Sequence, residues 1–167
     1  FGDSPKPMFE NPPGCYMHRQ ASFITDFFPE GVTPEDYAIF PFPEIDSAYG
    51  VPALGAGDVV VMFNDSPEAR AFVEYLATPQ PHEIWAAEGG FLSPHRGVSL
   101  DAYPDEITRK QADILTSADV FRFDGSDMMP AAVGAGTFWT GIMDYVAGED
   151  LEGVLQTIEA SAEDAYG

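Results

Sequence analysis

Proline and glycine set the first limit on what this chain can become. Fifteen prolines and sixteen glycines are spread through 167 residues. Proline lacks a backbone N–H and glycine weakens any element it interrupts, so together they cut the sequence into short pieces. Residues 1–14 are rich in both and read as irregular. Pro41-Phe42-Pro43 ends any strand before it, because proline cannot donate to a ladder. Pro43, Gly50, Pro52, Gly55 and Gly57 punctuate a connector over 43–57. Residues 93–97 read as a turn in which Pro94 forbids helix.

Between these breaks lie three candidate strands and five candidate helices, an α/β composition. Residues 15–20 and 37–40 read as short strands, with an aromatic cluster at Phe23, Phe27 and Phe28 after the first. The continuous apolar run Val59-Val60-Val61-Met62-Phe63 after Asp58 reads as a buried strand. Ser66-Pro67-Glu68 is a strong helix start, with Phe72, Val73, Tyr75 and Leu76 supplying the apolar face. Thr78-Pro79 opens a second helix, with Ile84 and Trp85 inward and Gly89-Gly90 as its stop. A third opens at Tyr103-Pro104-Asp105-Glu106 with Ile107, Ala112, Ile114 and Leu115 inward. A fourth lies within 130–145, and Asp150 caps a fifth with Leu151, Val154, Leu155 and Ile158 inward.

Charge narrows the partners. Twenty-eight acidic residues against seven basic ones give a net charge of −21, which excludes nucleic-acid binding through a basic patch. The acids are dispersed rather than blocked into a tail and fit a heavily solvated surface. No apolar run approaches the roughly 18 residues of a membrane span. The chain starts at Phe1 without a visible signal peptide and reads as a processed chain or a fragment. The single cysteine, Cys15, reads either as a small core residue or as half of a disulfide whose partner lies elsewhere.

Several chemistries lack their residues. His18, His82 and His95 are far apart and have no metal-ligand spacing, so no metal or other cofactor is expected. Gly55-Ala56-Gly57 precedes its strand and lacks the third glycine of a dinucleotide loop. Neither a nucleophile-elbow G-x-S-x-G nor a Walker A lysine occurs. Carboxylates are plentiful, so a carbohydrate hydrolase working with a pair of them stays open as an alternative.

The densest chemistry is Arg122-Phe123-Asp124-Gly125-Ser126-Asp127, continuing through Pro130 to Gly136-Thr137-Phe138-Trp139. A guanidinium, two carboxylates, a hydroxyl and large aromatics within eighteen bending residues suit a neutral polyhydroxylated molecule. A ring covers its apolar face while the charged groups bond its hydroxyls. The same stretch also fits a loop entering a buried helix, with Arg122 and Asp124 pairing each other.

The order of the motifs carries a resemblance. Cys15-Tyr16-Met17-His18-Arg19-Gln20-Ala21-Ser22-Phe23 comes first, then Leu54-Gly55-Ala56-Gly57-Asp58, then Phe72-Val73-Glu74-Tyr75-Leu76. Trp85-Ala86-Ala87-Glu88-Gly89-Gly90-Phe91-Leu92-Ser93-Pro94, the Arg122–Asp127 stretch and Phe138-Trp139 follow. In this the chain resembles the C-terminal part of the extracellular solute-binding proteins (family 1) of carbohydrate ABC transporters, of the α-glucoside and maltose type. The resemblance implies a periplasmic-binding-protein-like type II fold, with this chain as the C-terminal part of two lobes. It implies that residues 1–50 and 99–167 belong to the second lobe, and that 51–98 form a strand-and-two-helix excursion into the first. The implied function is capture of a sugar or oligosaccharide outside the cytoplasm and delivery to membrane permease subunits, without catalysis.

Carried over position by position, Phe23 is a sugar-facing aromatic and Trp139 a stacking ring at a helix start. Gly89, Gly90 and Phe91 form a loop that approaches the sugar, Asp58 and Asp124 accept from hydroxyls, and Arg122 donates. Phe23 and Phe138 equally fit core positions, Trp139 fits either role, and Asp58 also fits a turn cap or a partner for Arg122. Trp85 reads as core.

Overall fold

Helices begin where the local chemistry places them. In this computed structural model, which describes residues 2–167, Ser66 Oγ accepts from Ala69 N at 3.2 Å and opens α1, Pro67–Leu76. Thr78 Oγ1 donates to Tyr75 O at 2.7 Å as α1 ends, and α2, Pro79–Glu88, starts on the proline. It stops at Gly89, whose φ of +85° suits glycine. A reciprocal cap opens α3, Glu106–Ser117: Thr108 N donates to Asp105 Oδ1 at 2.9 Å, and Asp105 N to Thr108 Oγ1 at 3.4 Å. Asp150 Oδ2 accepts from Gly153 N at 2.9 Å and opens α5, Leu151–Tyr166.

The fourth helix differs from its expectation. It is two pieces, a wide turn over Ala132–Phe138 and then α4, Trp139–Ala147. Gly136, at φ −94° and ψ −105°, leaves helical geometry and breaks the run. The fold is a mixture of helix and strand, but the strands are not the expected ones. Among the described residues β1, Pro52–Gly55, pairs with β2, Val120–Phe123, in a two-stranded sheet. The sequence reads the first of those stretches as part of a connector and Arg122-Phe123 as the start of a bending stretch. Phe121 is what makes Gly55 tolerable in a strand: a Cβ there would sit 2.9 Å from Phe121 Cε2, so the ring occupies the space glycine leaves.

Residues 15–20, 37–40 and 59–63 are not strands. A strand exists only when a neighbour takes its ladder hydrogen bonds, and the one sheet consists of β1 and β2. The apolar run is accordingly exposed rather than buried, from 41% at Met62 to 97% at Phe63.

The chain divides into two units, and both strands run across the division. The first contains the residues up to Ala53 and Val59–Val120; the second contains Leu54–Asp58 and Phe121–Gly167. The first unit centres on Ala86 of α2, Tyr103 and Ala112 of α3, with Phe91, Leu92 and Val98 against them. Ile107 and Ala112 are buried as expected, while Ile114 and Leu115 are half-buried. Ile84 and Trp85 are exposed instead of inward. The face of α2 that meets the core carries His82 and Ala86, and each step along a helix turns a side chain by about 100°.

A hydrogen-bonded chain runs through that core. Tyr103 Oη accepts from Ser93 N at 3.0 Å, and Ser93 Oγ accepts from His95 N at 3.0 Å. His82 Nδ1 lies 2.9 Å from Ser93 Oγ, and its Nε2 lies 2.8 Å from Leu76 O. Because a carbonyl only accepts, Nε2 carries the proton, and in the neutral ring Nδ1 accepts from the Ser93 hydroxyl. Elsewhere in this unit Tyr37 meets Phe28 edge-on, with ring centres 5.0 Å apart. Burial, then the charge of Asp105, raises its phenol above the ordinary range. Cys15 is half-buried and free.

In the second unit two glycines set how closely backbone packs. A Cβ on Gly134 would stand 2.0 Å from Ser126 O. One on Gly141 would meet Val154 Cγ1 at 2.9 Å and Ile158 Cδ1 at 3.0 Å, where α4 and α5 touch. Leu151 and Leu155 of α5 are exposed, whereas Val154 and Ile158 are half-buried against that contact.

Candidate functional site

The candidate residues fall into two groups, each on its own unit. In the first unit Phe23 sits on the 3-10 turn Ser22–Phe27 and is 47% exposed, while its neighbour Ile24 is buried. Gly89 and Gly90 follow α2 with φ of +85° and +68°. A Cβ at either would meet nothing within 4 Å, so a partner molecule could reach this backbone unobstructed. Phe91, next in the chain, is half-buried and lies parallel to the indole of Trp85, with centres 4.3 Å apart and planes 5° apart.

In the second unit Trp139 is the first residue of α4, and its indole is not packed inside: the residue is 59% exposed. The break at Gly136 puts it there, because α4 starts afresh after the kink. Arg122 lies on β2 and is exposed. Asp124 follows it, its amide donating to Gly55 O at 2.9 Å. One carboxylate oxygen of Asp124 accepts from both the amide and the hydroxyl of Ser126, each at 3.0 Å. Asp124 is thus committed in part to shaping its own turn. Asp58 is exposed in the irregular segment after β1.

Among the described residues neither Asp58 nor Asp124 forms an ion pair with Arg122. The ion pairs present are Lys6–Asp3 and Arg70–Asp65, both on the surface. The Arg122 guanidinium is exposed and has no ion-pair partner among the described residues. No group of three or more metal-ligating side chains occurs among the described residues. A cavity of about 350 Å³ beside α4 and α5 is lined by Thr137, Thr140, Asp144 and Glu149 among others. None of the candidate residues lines it.

Trp85, which the sequence reads as core, is 59% exposed and stacks on Phe91.

The chain is 54% identical, over 161 residues, to the osmoprotective compounds-binding protein GgtB of Synechocystis sp.. That match covers 96% of this chain and 38% of the relative. It is 48% identical, over 162 residues, to the alpha-glucosides-binding periplasmic protein AglE of Rhizobium meliloti, covering 95% of this chain and 35% of the relative. The chain thus spans somewhat over a third of the length of the curated relatives it matches. The resemblance carried by the motifs holds across nearly the whole chain, and both relatives are solute-binding proteins. No protein-family model matches the sequence, and no solved structure matches it. No helix among the described residues is long and apolar enough to cross a membrane.

Proposed function

We propose that this chain, a homologue of extracytoplasmic solute-binding proteins, is the C-terminal part of a receptor that captures an α-glucoside-type sugar for an ABC importer. The observation that carries this reading is identity of 54% and 48% to two binding proteins over at least 95% of the chain. Neither relative is named as an enzyme, so the reading is of binding followed by delivery to permease subunits outside the cytoplasm, with no covalent step.

Within it, Trp139 is the stacking ring, Arg122 donates to hydroxyls, and Asp58 and the uncommitted oxygen of Asp124 accept from them. Gly89, Gly90 and Phe91 supply open backbone and a second apolar surface, and Phe23 a further ring. The exposure of Trp139 and the unpaired state of Arg122 among the described residues support these roles.

The proposed architecture is the two-lobe type II fold. Residues 1–50 and 99–167 stand in the second lobe, and 51–98 cross into the first. The bare run at 59–63 supports that crossing, because such a run needs strands beside it and among the described residues β1 and β2 pair only with each other.

The test is calorimetric titration of the full-length protein that carries this chain with maltose, sucrose and trehalose. Covering one indole face withdraws enough apolar area that Trp139→Ala is expected to weaken the best of these by about tenfold or more. Unchanged affinity would remove Trp139 from the site. No binding of any α-glucoside by the unsubstituted protein would overturn the carbohydrate reading itself.

A further inference from the structure

We propose that the α4–α5 pair of the second unit is a salt-dependent device: its own carboxylates oppose its packing in dilute solution, and the pair tightens as ionic strength rises. This property is independent of which ligand the protein takes.

The balance of charge is the first observation. The second unit holds ten acidic residues and one basic residue, Arg122. No lysine, arginine or histidine follows Arg122 in the sequence. Both ion pairs among the described residues, Lys6–Asp3 and Arg70–Asp65, belong to the first unit. The second observation is where the acids stand on α5. Asp150 and Glu152 lie at its start, where negative charge favours a helix. Glu159, Glu163 and Asp164 lie in its second half, and its last turn has no basic residue. A helix carries partial negative charge at its C-terminal end, so these three oppose it. Glu159 and Glu163 are also four residues apart, which makes them like-charged neighbours on one face. All three side chains are exposed. The third observation is at the joint itself. α4 ends without a basic residue in its last turn, and Asp144, Glu149 and Asp150 line one cavity of about 350 Å³ where it meets α5.

Salt acts most on exposed charges. The screening length falls from about 10 Å at 0.1 M to about 3 Å at 1 M. A compact unit whose charge is far from zero is loosened by self-repulsion and gains stability as that repulsion is screened. The apolar joint on which the repulsion acts is small, Gly141 of α4 against Val154 and Ile158 of α5, so a modest change in repulsion shifts it.

Hydrogen exchange of the full-length protein in about 0.1 M and about 2 M sodium chloride tests this. Exchange in Leu151–Tyr166 is expected to slow about fivefold or more in the higher salt. Exchange in Glu106–Ser117, which carries Arg109 and Lys110 beside its acids, should change by less than about twofold. A triple variant, Glu159→Gln with Glu163→Gln and Asp164→Asn, is expected to slow exchange in α5 about fivefold at the lower salt and to lose most of the salt response. Exchange in α5 that is indifferent to salt, or quickens with it, would mean that cations elsewhere in the protein pair with these acids, and would overturn the proposal. A triple variant that keeps the whole salt response would overturn it too, because salt would then be acting on apolar burial and not on charge.

Discussion

α1 and α3 make a controlled comparison within one unit. Both are amphipathic, and both open with a side-chain cap, Ser66 in one and Asp105 in the other. Yet α3 buries Ile107 and Ala112, whereas α1 buries no residue fully: Val73 and Leu76 are half-buried, and Phe72 on its apolar face is 59% exposed. A cap is made by residues three apart and forms wherever they occur. Burial needs a second element, and α3 has one in the Tyr103–Ala86 cluster. Helix formation and helix packing are therefore separate facts, and the first can be satisfied where the second is not.

Removing what α3 packs on is the harshest test of that separation. Tyr103 is 2% exposed, and its hydroxyl satisfies the amide of buried Ser93. Tyr103→Ala is expected to cost about 3 to 5 kcal/mol in chemical denaturation, from lost burial and the cavity left behind. Tyr103→Phe keeps the ring but leaves the Ser93 amide unsatisfied, and should cost about 1 to 2 kcal/mol with faster hydrogen exchange at that amide. A silent Tyr103→Phe would mean that water replaces the hydroxyl. The caps come next. Ser66→Ala and Asp105→Ala should each cost about 1 kcal/mol of helix stability, the same for the bare helix as for the packed one. Read by hydrogen exchange in the first turn of each helix, a large difference between them would break the claim that capping is independent of packing.

The same separation explains what could be read from the sequence. Starts and stops lie in local chemistry: Ser66-Pro67, Pro79, Gly89, Asp105 and Asp150 all mark ends where the structure has them. Strands do not, because pairing is decided by residues far apart in sequence. Pro52–Gly55 lies in a stretch punctuated by Pro and Gly, Val120–Phe123 is only four residues long, and the two meet with Phe121 filling the space over Gly55. The valine run at 59–63 has the strongest strand pattern in the chain and forms none. Among the candidate residues, the helix start at Trp139 and the positive-φ glycines are legible, since a helix terminus and a turn are local. The exposure of Trp85, read as core, is not, because it depends on which face of α2 meets Tyr103 and Ala112. The Asp124–Ser126 turn is not legible for a different reason: an Asp is equally at home as a hydroxyl acceptor and as the anchor of its own loop.

The smallest effect is the most informative about the bare helix. Phe72→Ser on α1 removes a ring that already stands in water, so in the 167-residue chain its stability change should lie within about 0.5 kcal/mol. Its solubility should rise, because the exposed apolar surface shrinks. In the full-length protein the expectation reverses if residues 51–98 pack into a first lobe. There the ring would be covered, and the same substitution should destabilise by about 2 kcal/mol or more, the cost of losing a buried aromatic. Denaturation of the two lengths side by side reads this difference directly. Equal and small effects in both would mean that α1 keeps an open apolar face even in the longer protein, and would remove the excursion from the proposed architecture.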